Sequence, residues 1–410
     1  MKSLLFLVAI GLVLGVGEVK GQLRLVETGE MSSVSEPITD IIFDGKTGEI
    51  LRLYSKYIGD QGFKENGFFR QDGTKTTFKN LNEELLLIDS NSCITLQRDW
   101  IENYSVIRKY STIENQLIPD SSYQFASFQM QVFVVNNGKN LILSDPSLGE
   151  GYNFVLFDNK FHHKRTYSEP SGWDFSSISS TEDKTTIAYH IANTISYKIM
   201  ELNIDGKILN ESTFNLDTPF RPSYVYLIDD IIILYGLSPK NQDFETMSFA
   251  FDINGKQLWK SDQILGYDTG VLGFKFIKMN SYPIFLNWID KVANIDVIDK
   301  NSGKRKWAIK LDSLYYADFD NVLEKLPVWP TVFQNVTPDI GLICAVLLKH
   351  DAKTDVWKYL HSKIIFFDSS KNIILSTYFN TDSTIIKANV DKNKITITDD
   401  LKYLKFEINN

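Results

Sequence analysis

Residues 251–259 read Phe251-Asp252-Ile253-Asn254-Gly255-Lys256-Gln257-Leu258-Trp259: an apolar strand ends in Asp, turns through Asn-Gly-Lys, and re-enters a strand that reaches Trp. Asp or Asn beside Gly accepts the positive φ angles of a tight hairpin, so the phrase marks one strand turning into its antiparallel neighbour. It recurs along the chain. Ile41-Ile42-Phe43-Asp44 precedes Gly45-Lys46-Thr47-Gly48, Leu86-Leu87-Ile88-Asp89 precedes Ser90-Asn91-Ser92, and Val155-Leu156-Phe157-Asp158 precedes Asn159-Lys160. Leu202-Asn203-Ile204-Asp205-Gly206-Lys207, Val297-Ile298-Asp299 before Lys300-Asn301-Ser302-Gly303-Lys304, and Phe366-Phe367-Asp368 before Ser369-Ser370-Lys371 complete the series. The leading Asp or Asn falls at 44, 89, 158, 203, 252, 299 and 368, so the steps lie near 47 residues except for two of 69.

About 47 residues is the length of a four-stranded antiparallel sheet with short turns, the unit of a propeller blade. Around the opening phrase the strands are expected at 222–229, 230–236, 246–252 and 257–261. One such sheet cannot bury both of its faces alone, so the units must stack around an axis. The expected fold is all-β, a single β-propeller of four-stranded blades. The ends suit ring closure by both termini: 383–390, 394–399 and 403–408 supply three strands, and either 22–27 or 37–44 supplies the fourth. The two long steps carry about 22 surplus residues each, which favours seven blades over six or eight. The surplus is expected as loop insertions near 100–123 and 311–335 of one domain spanning 22–410.

The first residues read as a secretory leader at 1–21: Lys2, an apolar run from Leu4 to Val16, and small residues before a cleavage near Gly21, with Gly17 as the fallback. The expected location is therefore extracytoplasmic. No later run approaches the roughly 18 apolar residues of a transmembrane helix. A formal net charge of −8 with no basic cluster argues against nucleic acid as a partner. Cys93 and Cys344 are the two cysteines, far apart and in no metal motif, and both a disulfide and free buried thiols stay open. Three Asn-x-Ser/Thr sequons occur, at Asn103, Asn210 and Asn335, and matter where the host glycosylates.

The phrases from Asp252 to Trp259 and from Asp299 to Trp307 resemble the repeat of quinoprotein-like propellers, a superfamily related in style to WD40-like repeats. The resemblance implies the fold. Enzymes of that superfamily bind pyrroloquinoline quinone and calcium, often beneath adjacent cysteines. This chain has no adjacent cysteines and lacks the Trp in its other repeats, so the resemblance points to the non-enzymatic members, and no cofactor is expected.

The chemistry-bearing residues give no recognisable reaction centre. His162 and His163 are adjacent and would face opposite sides of a strand, while His190, His350 and His361 are scattered, so no metal site is expected. Asp299-x-Asn301-x-Gly303 and Asp44-x-Lys46-x-Gly48 resemble calcium loops but lack a closing acid, and hairpin chemistry explains the same residues. No nucleophile elbow or phosphate-binding loop is present. Asp229-Asp230, Glu83-Glu84 and Asp399-Asp400 read as solvated turns. The expected contact surface is the 311–335 insertion, through Tyr315, Tyr316, Phe319, Trp329 and Phe333, beside Asp312, Asp318 and Asp320. The function expected is a secreted, non-catalytic binding or scaffold propeller that takes a protein or glycan on its loop face. A polysaccharide hydrolase or lyase and a structural part of an envelope assembly are the alternatives.

Overall fold

The computed structural model describes residues 22–409 except 46, 59–62, 79, 90–91, 100, 114–115, 126–130, 137, 146–152, 169–172, 192–194, 218–219, 229, 241–242, 262–274, 280–281, 290–291, 317–327, 352–355, 369, 371 and 380–384. The described residues form eight four-stranded antiparallel sheets and one short helix. Seven sheets follow the chain, at 38–77, 83–125, 131–168, 173–215, 221–261, 275–310 and 328–379, with strands bonded in sequence order. The eighth joins three C-terminal strands, Lys387–Asp391, Lys394–Thr398 and Lys402–Asn409, to Gln22–Glu30, pairing from Gln22↔Asn409 to Glu30↔Lys402.

Alternating strands leave each sheet with two apolar faces, and the buried side chains lie between consecutive sheets. Leu51 and Phe68 of the first sheet meet Ile88 and Tyr110 of the second. Ile142 and Phe154 of the third meet Ile187 and Tyr189 of the fourth, and Ile343 and Ile365 of the seventh meet Ile295 of the sixth. The eighth sheet packs on the seventh through Ile395, Ile397 and Phe406, and on the first through Tyr403 and Ile385 against Ile41 and Ile50. First strands neighbour one another: Lys387–Asp391 touches both Val328–Asn335 and Ile38–Phe43. The chain has the β-propeller fold.

Two expectations change. There are eight sheets among the described residues rather than seven, and 100–123 is no insertion: Tyr104–Ile113 and Gln116–Phe125 are the third and fourth strands of the second sheet. The cause is phase. Asp44 and Asp89 sit at the turn between first and second strands, whereas Asp158 and its successors sit between third and fourth. One step of 69 therefore spans one and a half sheets. The other, from Asp299 to Asp368, is a true surplus, divided between the link after the sixth sheet and an elongated hairpin in the seventh.

The repeated Asp or Asn works as a turn cap. Asp252 Oδ1 accepts from the backbone N–H of Asn254 and Lys256, Asn203 Oδ1 from Asp205 and Lys207, and Asp368 Oδ1 from Ser370 and Asn372. The residue seven places later then reaches into the next sheet. Trp259 Nε1 donates to Lys300 O at 2.6 Å, Asn210 Nδ2 to Ile253 O, and Arg165 Nη1 to Gly206 O at 3.5 Å. The resemblance read Trp at this position; in these three repeats it holds a hydrogen-bond donor, and after Asp368 it is Leu375.

Arg52 ties the two ends together. It is fully buried in the strand Ile50–Ile58, and its guanidinium donates to Ser32 O at 2.7 Å, Asp400 O at 3.0 Å and Arg70 O at 3.2 Å. The planar fork suits three divergent carbonyls, one beside the N-terminal strand, one in the C-terminal sheet and one in the first sheet.

Candidate functional site

The sheets present two rims. One carries the turns between first and second and between third and fourth strands; the other, here called the upper face, carries the hairpins between second and third strands and the links between sheets. After the sixth sheet the chain enters a helix, Leu311–Tyr315, at the upper face, and this helix must bury its apolar side.

That burial relocates two of the expected contact residues. Tyr315 is 1% exposed and Phe333 6%, both in the core between sheets six and seven, with Phe333 stacked on Phe367 at 6.4 Å. The Tyr315 hydroxyl donates to His361 O at 3.3 Å, and its carbonyl accepts from the buried Lys363 Nζ at 2.8 Å. Burial pushes the Tyr315 hydroxyl pKa up. Tyr316 and Trp329 are half-buried against the two neighbouring cores, and Phe319 lies outside the described residues, with Asp318 and Asp320.

The same face carries the elongated hairpin. Ile340–Asp351 and Val356–Asp368 continue through Leu348↔Tyr359, Lys349↔Lys358, His350↔Trp357 and Asp351↔Val356. The first strand of that sheet stops pairing at Val328↔Leu347 and the fourth at Phe379↔Ser362. Four residue pairs therefore extend beyond both neighbours, about 13 Å of two-stranded arm. A register shift at its base, between Leu347 and Leu348, bends the arm relative to the sheet. By register, 348 lies opposite 359 and 350 opposite 357.

A cleft of about 390 Å³ opens where the eighth sheet meets the first, lined in part by Glu27, Glu49, Asp391, Lys394, Lys405 and Glu407. Three of its acids have basic partners. Glu27 accepts from Tyr403 at 2.7 Å and Lys405 at 3.0 Å, Glu49 pairs with Arg70, and Glu407 lies 3.9 Å from Arg24. The Tyr403 hydroxyl and then Lys405 hold the Glu27 carboxyl below its usual pKa. Glycoside cleavage needs one carboxyl kept protonated near neutral pH, and Glu27 is shifted the opposite way. Glu27 is therefore not poised as a general acid.

The remaining candidates resolve as local structure. Asp299 Oδ1 accepts from Asn301 N, Ser302 N and Ser302 Oγ, and Asp44 Oδ1 from Thr47 N, the hairpin chemistry expected for both turns. His162 Nδ1 lies 3.0 Å from its turn's Asp158, and His163 Nε2 lies 2.9 Å from Thr166. Among the described residues no three of His, Cys, Asp and Glu gather as metal ligands. Cys93 and Cys344 are buried in sheets two and seven and are not joined in a disulfide.

Glu83 corrects the reading of solvated acids. Its side chain is fully buried and accepts from Tyr110 at 2.7 Å, from Thr95 and from Asn80 Nδ2 at 3.0 Å, with Arg108 at 3.7 Å. Asp399 is likewise buried, capping Leu401 N and Lys402 N. Glu83 and Arg52 were both missed from sequence. The available signal was faint: an Arg inside the apolar run Ile50-Leu51-Arg52-Leu53-Tyr54, and an acid opening the strand that follows a polar link.

No family model matches this chain. No curated relative matches it either. Solved structures similar to it include BamB from Moraxella catarrhalis, 10% identical over 94% of this chain and 97% of that one, with a TM-score of 0.44. The β-propeller domain of the Trilobed protease from Pyrococcus furiosus is 11% identical over 83% and 97% respectively, at 0.44. One of two prolyl endopeptidases is 12% identical over 77% of this chain and 48% of its own, also at 0.44. The likeness is one of fold, which the eight sheets establish by themselves. Among the described residues no helix is long and apolar enough to cross a membrane.

Proposed function

We propose that this propeller is an extracytoplasmic, non-catalytic binding protein that takes a protein partner on its upper face. The observation that carries the reading is the arm at 348–359. A two-stranded hairpin extending past its own sheet presents backbone N–H and C=O groups to a partner strand, and its sequence includes His350, Trp357 and Tyr359. Tyr316, directly after the helix Leu311–Tyr315, and Trp329, in the first strand of the seventh sheet, are both half-buried. The leader-like residues 1–21 support an extracytoplasmic location.

The test replaces 349–358 by Asn-Gly, which closes the hairpin one pair beyond its sheet. Because the arm extends beyond the pairing of both neighbouring strands, the shortened protein is expected to melt within a few degrees of the parent. It is also expected to lose a partner that the parent crosslinks in an envelope or extracellular fraction. Equal crosslinking by both proteins would remove the arm from the account.

A further inference from the structure

Of the three sequons, the structure assigns one, Asn103-Tyr104-Ser105, as an N-glycosylation site, an inference that rests on the extracytoplasmic reading above. Asn103 is exposed at the upper-face hairpin between Ser92–Asp99 and Tyr104–Ile113, with a φ of +54° that Asn tolerates. The asparagines of the other two sequons are half-buried. Asn210 Nδ2 donates to Ile253 O across to the next sheet, and Ser212 Oγ reaches the same carbonyl at 3.5 Å. Asn335 is half-buried in Val328–Asn335, and Thr337 Oγ1 accepts from Asp339 N at 3.2 Å and Ile340 N at 3.1 Å to hold the following turn.

Ser105 supplies the second, independent observation. Its side chain is fully buried, and its Oγ has no hydrogen-bond partner among the described residues. A buried hydroxyl without a partner costs desolvation that Ala at the same place would not. The folded protein therefore gives no reason for the hydroxyl, whereas a transferase reading Asn-x-Ser on the extended chain requires it.

The surroundings fit a sugar as well. Ile101 is 61% exposed two residues before Asn103, and Leu81 is 40% exposed in the link whose carbonyl accepts from Gln97 Nε2 at 3.1 Å. A carbohydrate ring laid over these side chains takes apolar surface out of water on its C–H face. The second sheet also stands three sheets from the seventh, counted through the first and the eighth, so a glycan there leaves the 348–359 arm uncovered.

The modification is a substitution at an anomeric carbon. Asn103 Nδ2 bonds to C1 of the reducing-end sugar of a polyprenyl-diphosphate-linked oligosaccharide, the C1–O bond breaks, polyprenyl diphosphate leaves with the electron pair, and the amide gives up one proton.

The full chain, expressed in a glycosylating secretory host, tests this by intact mass before and after peptide-N-glycosidase, with peptide mapping of Asn-to-Asp conversion in heavy-oxygen water. The expected result is one glycan, at Asn103. S105A is expected to abolish it while melting at the parent's temperature or above, whereas a hydroxyl with a structural role would lower the melting point. A secreted protein bare at Asn103, or one occupied at Asn210 or Asn335 instead, overturns the assignment and leaves the extracytoplasmic reading standing. Retention in the cytosol with residues 1–21 uncleaved overturns both.

Discussion

At the residue scale the turn phrase does two jobs, closing its own hairpin and seating the next sheet on the previous one. Gly303 and Gly255 separate these jobs. Both have positive φ, +68° and +83°, so either change to Ala carries the left-handed penalty of about 1 kcal/mol. A Cβ on Gly255 would meet Ser212 Cβ at 3.2 Å, a contact that small shifts relieve. On Gly303 it would meet the Trp259 ring at 2.6 Å, against an indole pinned by its bond to Lys300 O. G303A is expected to destabilise by about 1–3 kcal/mol more than G255A, read by urea unfolding of both variants. Equal losses would mean that the Trp259 contact does not hold the fifth and sixth sheets together. Phe161 shows the limit of reading this phrase from sequence: it has a φ of +68° where sister repeats place Gly206 and Gly255, and packs 6.1 Å from Phe157.

At the scale of strands and sheets the sequence was legible wherever the phrase was in phase. The fifth sheet, at Arg221–Ile228, Ile231–Lys240, Asp243–Asp252 and Gln257–Ser261, lies close to the strands read from its turns, except that the two middle strands run longer at their shared hairpin. The second sheet was misread because Asp89 and Asp158 look alike yet stand at different turns, and a tight turn does not announce which pair of strands it joins. The contact loop was half legible. Aromatic residues do gather at 315–333, but whether a ring faces solvent or core depends on the sheet packed against it, and no local pattern carries that. Arg52 was illegible for the same reason, since its three acceptors come from positions 32, 70 and 400. R52M keeps the side chain's length, strands those carbonyls, and is expected to cost about 3–5 kcal/mol, as breaking a buried charged network does. A loss below 1 kcal/mol in chemical unfolding would show that the clasp is dispensable.

At the scale of the whole molecule the buried tyrosines set an alkaline limit. Burial raises the hydroxyl pKa of Tyr54, Tyr110, Tyr167, Tyr197 and Tyr315, that of Tyr197 to about 12. The unfolded chain loses these protons near pH 10 and the folded one only at higher pH, so the unfolded state binds fewer protons in between. Stability is therefore fully present below about pH 10 and falls as pH rises toward 12. The melting temperature should hold from pH 7 to about 10 and then drop, with tyrosinate absorbance appearing together with unfolding. Tyrosinate formed well before any loss of structure would contradict the buried placement of these rings.

The central claim at this scale is that one sheet is built from both termini. Arg24 pairs with Glu407 in the register of Gln22–Glu30 against Lys402–Asn409, at a spacing suited to a disulfide. The most direct measurement is therefore oxidation of the double variant R24C/E407C, followed by tryptic mass mapping of the monomer. Joining 24 to 407 within one chain, with a raised melting temperature that reduction reverses, is the result expected of a propeller closed by its own ends. Disulfides found only between chains, or none under oxidising conditions, would contradict the closure.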